Sequence, residues 1–224
     1  MGKWRNLGSV STELDGFELV TIWDPEDAIG TRTNLVTELS YVASEGFGKE
    51  KGGTEIKEHI LTGQTRAFVL TKNKTAIAFA AVKNLTDICN GVYLTGIAML
   101  PEFQGLGIGS FLMKKALVAE TYDLMALHTQ SPIMYLGLLK LSTRVYPSWE
   151  HKIPKSIRKI GEAIVAGKEG FNKMTFVRIG QYKQFLYAKF PWSNNRLANE
   201  FFRKQLLIEN GETTNGFLVI GMQK

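Results

Sequence analysis

A single cysteine, Cys89, leaves this 224-residue chain without an internal disulfide, which points to a reducing cytoplasm rather than a secreted scaffold. It follows the apolar stretch Ala76–Leu85 and reads more readily as packing than as a nucleophile. No apolar run approaches the length of a bilayer-crossing helix, so no membrane partner is expected. The opening residues, MGKWRN, lack the apolar stretch of a secretory signal, and Asn6 stands where myristoylation wants Ser or Thr. Low-complexity linkers and internal repeats are missing too. With 44% apolar and 21% charged residues, disordered and collagen-like classes are excluded.

Negative charge is scarce at one end. Residues 1–150 carry 14 Lys and Arg against 16 Asp and Glu, whereas residues 151–224 carry 13 against 5. A basic C-terminal third suits a polyanion, either nucleic acid or the phosphates of a nucleotide, and equally a solvated lysine-rich surface. Without a nucleic-acid motif, that partner is disfavoured.

Hydrophobic periodicity outlines a mixed α/β chain. Strands are predicted over 17–23, 67–71, 75–85, 92–100 and 124–129, the second and third joined by the polar turn Lys72-Asn73-Lys74. Helices are predicted over 31–44, 55–61, 110–122 and 132–144, the last opened by Pro132. Beyond Pro147 the pattern suggests helices over 155–166 and 195–208 and strands over 174–180 and 216–222.

Chemistry concentrates between the 92–100 strand and the following helix, in Gln104-Gly105-Leu106-Gly107-Ile108-Gly109-Ser110. Glycines at alternate positions allow positive φ and let main-chain N–H groups turn towards an anion. The helix behind them presents unpaired N–H groups and the positive end of its dipole, which together suit a pyrophosphate. A tight turn that merely eases packing is the bland alternative. The spacing fits neither the dinucleotide-binding fingerprint nor a Walker loop, since Ser110-Phe111 is not a Lys-Ser/Thr pair.

Gln104 to Gly109, with the lead-in Met99-Leu100-Pro101-Glu102-Phe103, resembles the Gln/Arg-x-x-Gly-x-Gly/Ala motif of the GNAT superfamily of acetyl-CoA-dependent N-acetyltransferases. The likeness covers residues 15–147 by order of elements and 94–145 by recognisable sequence. It implies a GNAT-like α/β (α+β) fold: a mixed, mostly antiparallel sheet, helices on both faces, and a splayed central strand pair holding acetyl-CoA. On that reading 1–224 is one N-acetyltransferase domain with a recognisable core at 15–147 and a variable segment at 148–224.

The resemblance implies acetyl-CoA as cosubstrate, no metal, and an amine acceptor, with a homodimer compatible. Ile97, Ala98 and Met99 would offer main chain to pantetheine and the thioester; Gln104, Gly105, Leu106, Gly107, Ile108, Gly109 and Ser110 would bind the pyrophosphate. Gly96 within an apolar strand is what a bulge or close backbone approach needs.

Many members use a tyrosine, about seven residues past an Asn, to protonate the leaving thiolate. Here Ser131 stands at the Asn position and Leu138 at the other, a departure from the pattern. Tyr135, one turn earlier on a similar face, is the first candidate and Tyr146 the second; either reads equally as a structural tyrosine. Glu102, His128 and water compete as the base. Glu38, Glu45, Glu50, Glu55 and Glu58 could attract a cationic amine, or form ordinary helix surface. Phe185, Tyr187, Phe190, Trp192, Phe201 and Phe202, interleaved with Lys183, Lys189, Arg203 and Lys204, read chiefly as core beneath surface lysines. A non-catalytic acyl-CoA sensor on the same fold is the alternative function.

Overall fold

The computed structural model describes residues 9–11, 14–31, 34–118 and 121–223. MGKWRN, and Ala119 of the helix expected over 110–122, lie outside them. The chain divides into two compact units, residues 1–84 with 94–119 and residues 85–93 with 120–224.

The first unit opens with two strands, β1 (Ser9–Ser11) and β2 (Glu18–Trp23). Helices α1 (Pro25–Thr31), α2 (Leu35–Phe47) and α3 (Gly53–Ile56) follow, and α3 runs into a π-helical turn, Lys57–Leu61. Then come β3 (Arg66–Lys72), β4 (Thr75–Asn84), β5 (Gly91–Met99), which joins this unit from Leu94, and α4 (Ile108–Val118). Strands β1 to β4 pair antiparallel in chain order. The β3–β4 hairpin turns through Asn73 and Lys74, both at positive φ, where the sequence signals a polar turn. Neither β1 nor α1 is evident in the sequence, β1 for its brevity and α1 because Asp24-Pro25 reads as a stop. Helix α2 buries Leu35, Leu39, Val42 and Ala43, a stripe at helical spacing, and ends at Gly48 with φ 63°.

The second unit contains β6 (Leu124–Thr129), α5 (Pro132–Leu141), β7 (Ser142–Tyr146), α6 (Lys155–Ile164), the short strands β8 (Phe171–Asn172) and β9 (Val177–Arg178), α7 (Arg196–Gln205) and β10 (Gly216–Gln223). Strand β10 pairs antiparallel with β6, and also with β7 and β9. The helix expected through Arg144 ends at Leu141 instead. Ser142 Oγ donates to the Leu138 carbonyl at 2.7 Å, and the β-branched Thr143 and Val145 extend as β7. The strand expected over 174–180 shrinks to Val177–Arg178, because Phe176 and Gly180 both take positive φ.

Leu124, Ala126, Tyr146, Ile157, Phe176, Leu218 and Ile220 share this unit's core. Strands contributed by β1 to β4, β6, β7, β9 and β10 pair antiparallel throughout, so the fold class is mixed α/β with a mostly antiparallel sheet. Among the described residues no helix is long and apolar enough to cross a membrane.

Candidate functional site

In the first unit β5 is tied to β4: the Leu100 N–H donates to the Ile77 carbonyl at 2.9 Å, and Thr95 Oγ1 to the Ala81 carbonyl at 3.0 Å. Pro101–Phe103 then forms a single 3-10 turn, with the Gln104 N–H donating to the Pro101 carbonyl at 3.0 Å. The loop that follows holds Gly105 at φ 79° and Gly107 at φ 82°, and a side chain at either would meet no atom within 4 Å. These two glycines are therefore required by backbone conformation, and the space beside them is open.

Helix α4 starts at Ile108, two residues before the sequence-based boundary. Its first bond runs from the Phe111 N–H to the Gly107 carbonyl at 3.0 Å, so the N–H groups of Ile108, Gly109 and Ser110 form the open end of the helix. Ile108, Leu112, Met113, Ala116 and Leu117 bury the helix and hold that end in place, while Leu106 at the loop tip is 66% exposed. The open helix end and the positive-φ glycines make a cradle suited to an anion.

Two packing relations support the cradle. The Gln104 amide donates to the Met99 carbonyl at 3.3 Å and reaches the Gly46 carbonyl at 3.5 Å, joining the loop to the last turn of α2. At Gly96 it is the Ile60 side chain, not main chain, that occupies the space a Cβ would fill. Lys72, read in sequence only as part of a turn, lies 5.4 Å from the Phe17 ring and 5.5 Å from the Phe103 ring, so it sets a cation beside the lead-in to the loop. Of the early glutamates, Glu55 pairs with the buried Lys51 at 3.4 Å, Glu38 is half-buried, and Glu45, Glu50 and Glu58 are exposed.

Residues 35–132 match the acetyltransferase (GNAT) family. That match spans less than half of the 224-residue chain and marks its likeness to the family over that segment. No curated protein matches it in sequence. Among solved structures, it is similar to the ribosomal-protein-S18-alanine N-acetyltransferase from Escherichia coli, at 15% identity over 59% of this chain and 86% of that one, with a TM-score of 0.43. Escherichia coli ElaA is 19% identical over 59% and 93%, TM-score 0.45. A GNAT family acetyltransferase from Elizabethkingia anophelis with acetyl-CoA bound is 16% identical over 75% and 82%, TM-score 0.39.

The two tyrosine candidates both lie in the second unit. Tyr135 is 1% exposed, and its hydroxyl donates to the Pro147 carbonyl at 3.1 Å. Its ring packs among Trp149, Phe201 and Phe202 at centroid distances of 5.5, 6.1 and 5.6 Å. Burial pushes its phenol up to about 12, against the opposing hydrogen bond from Ser148, with Glu150 adding to the rise. Tyr146 is 4% exposed within the core around Phe176. Glu102 is exposed on the 3-10 turn, and His128 is half-buried on β6 beside Tyr93. Cys89 is half-buried, its thiol pushed up by burial and by Asp123. Among the described residues no three His, Cys, Asp or Glu side chains gather to hold a metal ion.

The aromatic tail is mostly interior: Phe185, Phe190 and Phe202 are buried, and Trp192, 42% exposed, rests on Phe190 at 4.2 Å.

Proposed function

We propose that this chain is an acetyl-CoA-dependent N-acetyltransferase acting on a primary amine of a small molecule or protein. The carrying observation is the cradle: two glycines at positive φ with open space beside them, followed at once by the bare N–H end of α4. Gln104 to Ser110 take the diphosphate, chiefly through the N–H groups of Gly107 to Ser110. The main chain of Ile97, Ala98 and Met99 takes the pantetheine and thioester region, with the Met99 carbonyl already engaged by Gln104.

The deprotonated amine attacks the thioester carbonyl directly. A tetrahedral oxyanion forms, and its charge is met by main-chain N–H donors of the Ile97–Met99 segment. Collapse breaks the C–S bond and releases the coenzyme A thiolate. The thiolate is protonated from solvent, whereas the buried Tyr135 hydroxyl already donates its hydrogen to the Pro147 carbonyl. Tyr135 is thus proposed as a core residue rather than the acid, and Tyr146, packed around Phe176, likewise.

Calorimetry with coenzyme A and acetyl-CoA, with Gly107→Val as control, tests the cofactor. Thiol release in the presence of a panel of amines tests the reaction. Binding without thiol release from any amine would make the chain a sensor instead. No binding by the native protein would end the proposal.

A further inference from the structure

The second unit carries a cationic surface to which acetyl transfer gives no role. Residues 151–224 hold 13 Lys and Arg against 5 Asp and Glu. Along the sequence these charges are scattered and no nucleic-acid motif organises them. The fold gathers part of them beside one exposed ring, that of Trp192.

Trp192 is 42% exposed, yet its indole has a firm seat. It rests on Phe190 at 4.2 Å between ring centroids, and Phe190 stacks in turn on Phe185 at 5.8 Å and 2°. The chain after the ring is pinned to α7. The Asn199 side chain accepts from the Ser193 N–H at 3.0 Å and from Ser193 Oγ at 2.8 Å, and it donates to the Ser193 carbonyl at 2.7 Å. Asn195 Oδ1 caps the helix by accepting from the Ala198 N–H at 3.0 Å. Trp192 therefore stands at a fixed place beside α7, and a ligand meets a ring that is already ordered.

Between the ring and α7 lies a hollow of about 300 Å³, lined by Trp192, Asn194, Arg196, Asn199, Glu200 and Arg203. The four helical residues recur at spacings of three and four, which puts them on one face, while Ala198 and Phe202 bury the other. Arg196 pairs with Glu200 at 3.0 Å. That hydrogen bond and the Arg196 charge hold the Glu200 carboxyl below its usual range, and Lys204 and Arg203 add to the effect. Three cations thus act at this face against one carboxylate. With Glu200 matched by Arg196, the charges of Arg203 and Lys204 are in excess.

A seated aromatic ring, a hollow beside it and surplus guanidinium and ammonium charge complement one chemical unit, a flat base joined to phosphate. In a duplex the base faces stack on one another, so such a platform selects a single strand. Asn194 on the rim offers a donor and an acceptor, which a ribose 2′-hydroxyl can meet and a deoxyribose cannot. The hollow lies at the lower end of ligand-site volumes, roughly 300–1,000 Å³, and suits one nucleotide at a time.

We propose that the Trp192–α7 face binds single-stranded RNA, with one base stacked on Trp192 and the adjoining phosphates meeting Arg203 and Lys204. The site lies wholly within the second unit and does not rest on the acetyl-transfer reading.

Fluorescence anisotropy with a labelled oligouridylate of about twelve nucleotides tests this on the full chain, between about 50 and 200 mM salt. Native protein should bind, with log K falling linearly as log salt rises. Trp192→Ala should weaken binding about tenfold or more, and Trp192→Phe should recover most of the loss because a phenyl ring still stacks. Arg203→Ala should weaken binding and lower the salt slope by about 0.7, the share of one phosphate contact. Lys173→Ala removes an equal charge from the pair with Glu162, outside the hollow, and should stay within about twofold of native. Native affinity in folded Trp192→Ala, or equal losses in Lys173→Ala and Arg203→Ala, would leave only general cationic attraction and overturn the assignment. Equal affinity for an oligodeoxyuridylate or for a duplex of the same length would overturn it too, as would no binding by the native protein. Circular dichroism checks folding, and Arg203→Ala against Lys173→Ala decides the matter should Trp192→Ala fail to fold.

Discussion

A Cβ added to Gly46 would lie 2.5 Å from the Met99 carbonyl oxygen and 3.1 Å from the Met99 nitrogen. The last turn of α2 therefore rests directly on the Met99 main chain, and the Gln104 amide bridges the Gly46 and Met99 carbonyls.

Alanine at position 46 gains helix propensity worth about 1 kcal/mol, but it meets main chain, which cannot swing aside as a side chain can. The clash should win, with a net loss of about 1–2 kcal/mol in denaturant unfolding. Because Met99 must move, coenzyme A affinity should fall as well in calorimetry. Native affinity in Gly46→Ala would separate α2 from the cosubstrate site.

Gly107→Ala should behave differently. Nothing stands within 4 Å of the added methyl, so only the φ of 82° is strained, at about 1–2 kcal/mol. If Ala relaxes that strain by turning the peptide, an N–H leaves the cradle and coenzyme A binding should weaken about tenfold or more. A stability loss with unaltered binding would mean that these N–H groups do not meet the diphosphate.

Gly96→Ala brings a methyl against the end of the Ile60 side chain. The cost should be about 1–2 kcal/mol, and most of it should be recovered in the Ile60→Val background, where the offending methyl is gone. Additive losses in the double variant would show that Gly96 serves the strand backbone instead.

Tyr135→Phe removes the donor to the Pro147 carbonyl within an aromatic cluster. Stability should fall by about 1–2 kcal/mol while kcat and its pH profile stay native. A large drop in kcat with native stability would restore Tyr135 as an acid.

Raised phenols also predict alkaline behaviour. Tyr93, Tyr135, Tyr182 and Tyr187 are all pushed up by burial, so each holds its proton more tightly folded than unfolded. Their share of stability is present below the unfolded value near pH 10 and is lost above it, at up to about 1.4 kcal/mol per phenol per pH unit. For Tyr135 that window runs from about 10 to about 12. Ultraviolet titration should show these tyrosines ionising late, together with unfolding; early ionisation of all seven would contradict their burial.

Much of the first unit could be read along the chain. The α2 stripe, the β3–β4 turn and the loop leading into α4 each depend on preferences acting within a few residues: helical spacing, positive φ, and the N–H groups that a helix start leaves open. Those same local rules misread 142–146, where Ser142 and the β-branched residues after it compete with a helical pattern, and β10 supplies the partner strand.

The sequence alone determined that a glycine loop with positive-φ turns joins a strand to the start of a helix, because turn and helix-start chemistry is written in adjacent residues. Only tertiary structure decided what surrounds it. Gln104 meets Gly46 across 58 positions, Tyr93 meets His128 across 35, and Tyr135 finds Pro147 and the rings of α7 rather than solvent. Contacts over such separations are selected by the packing of whole elements, and no spacing rule along the chain encodes them.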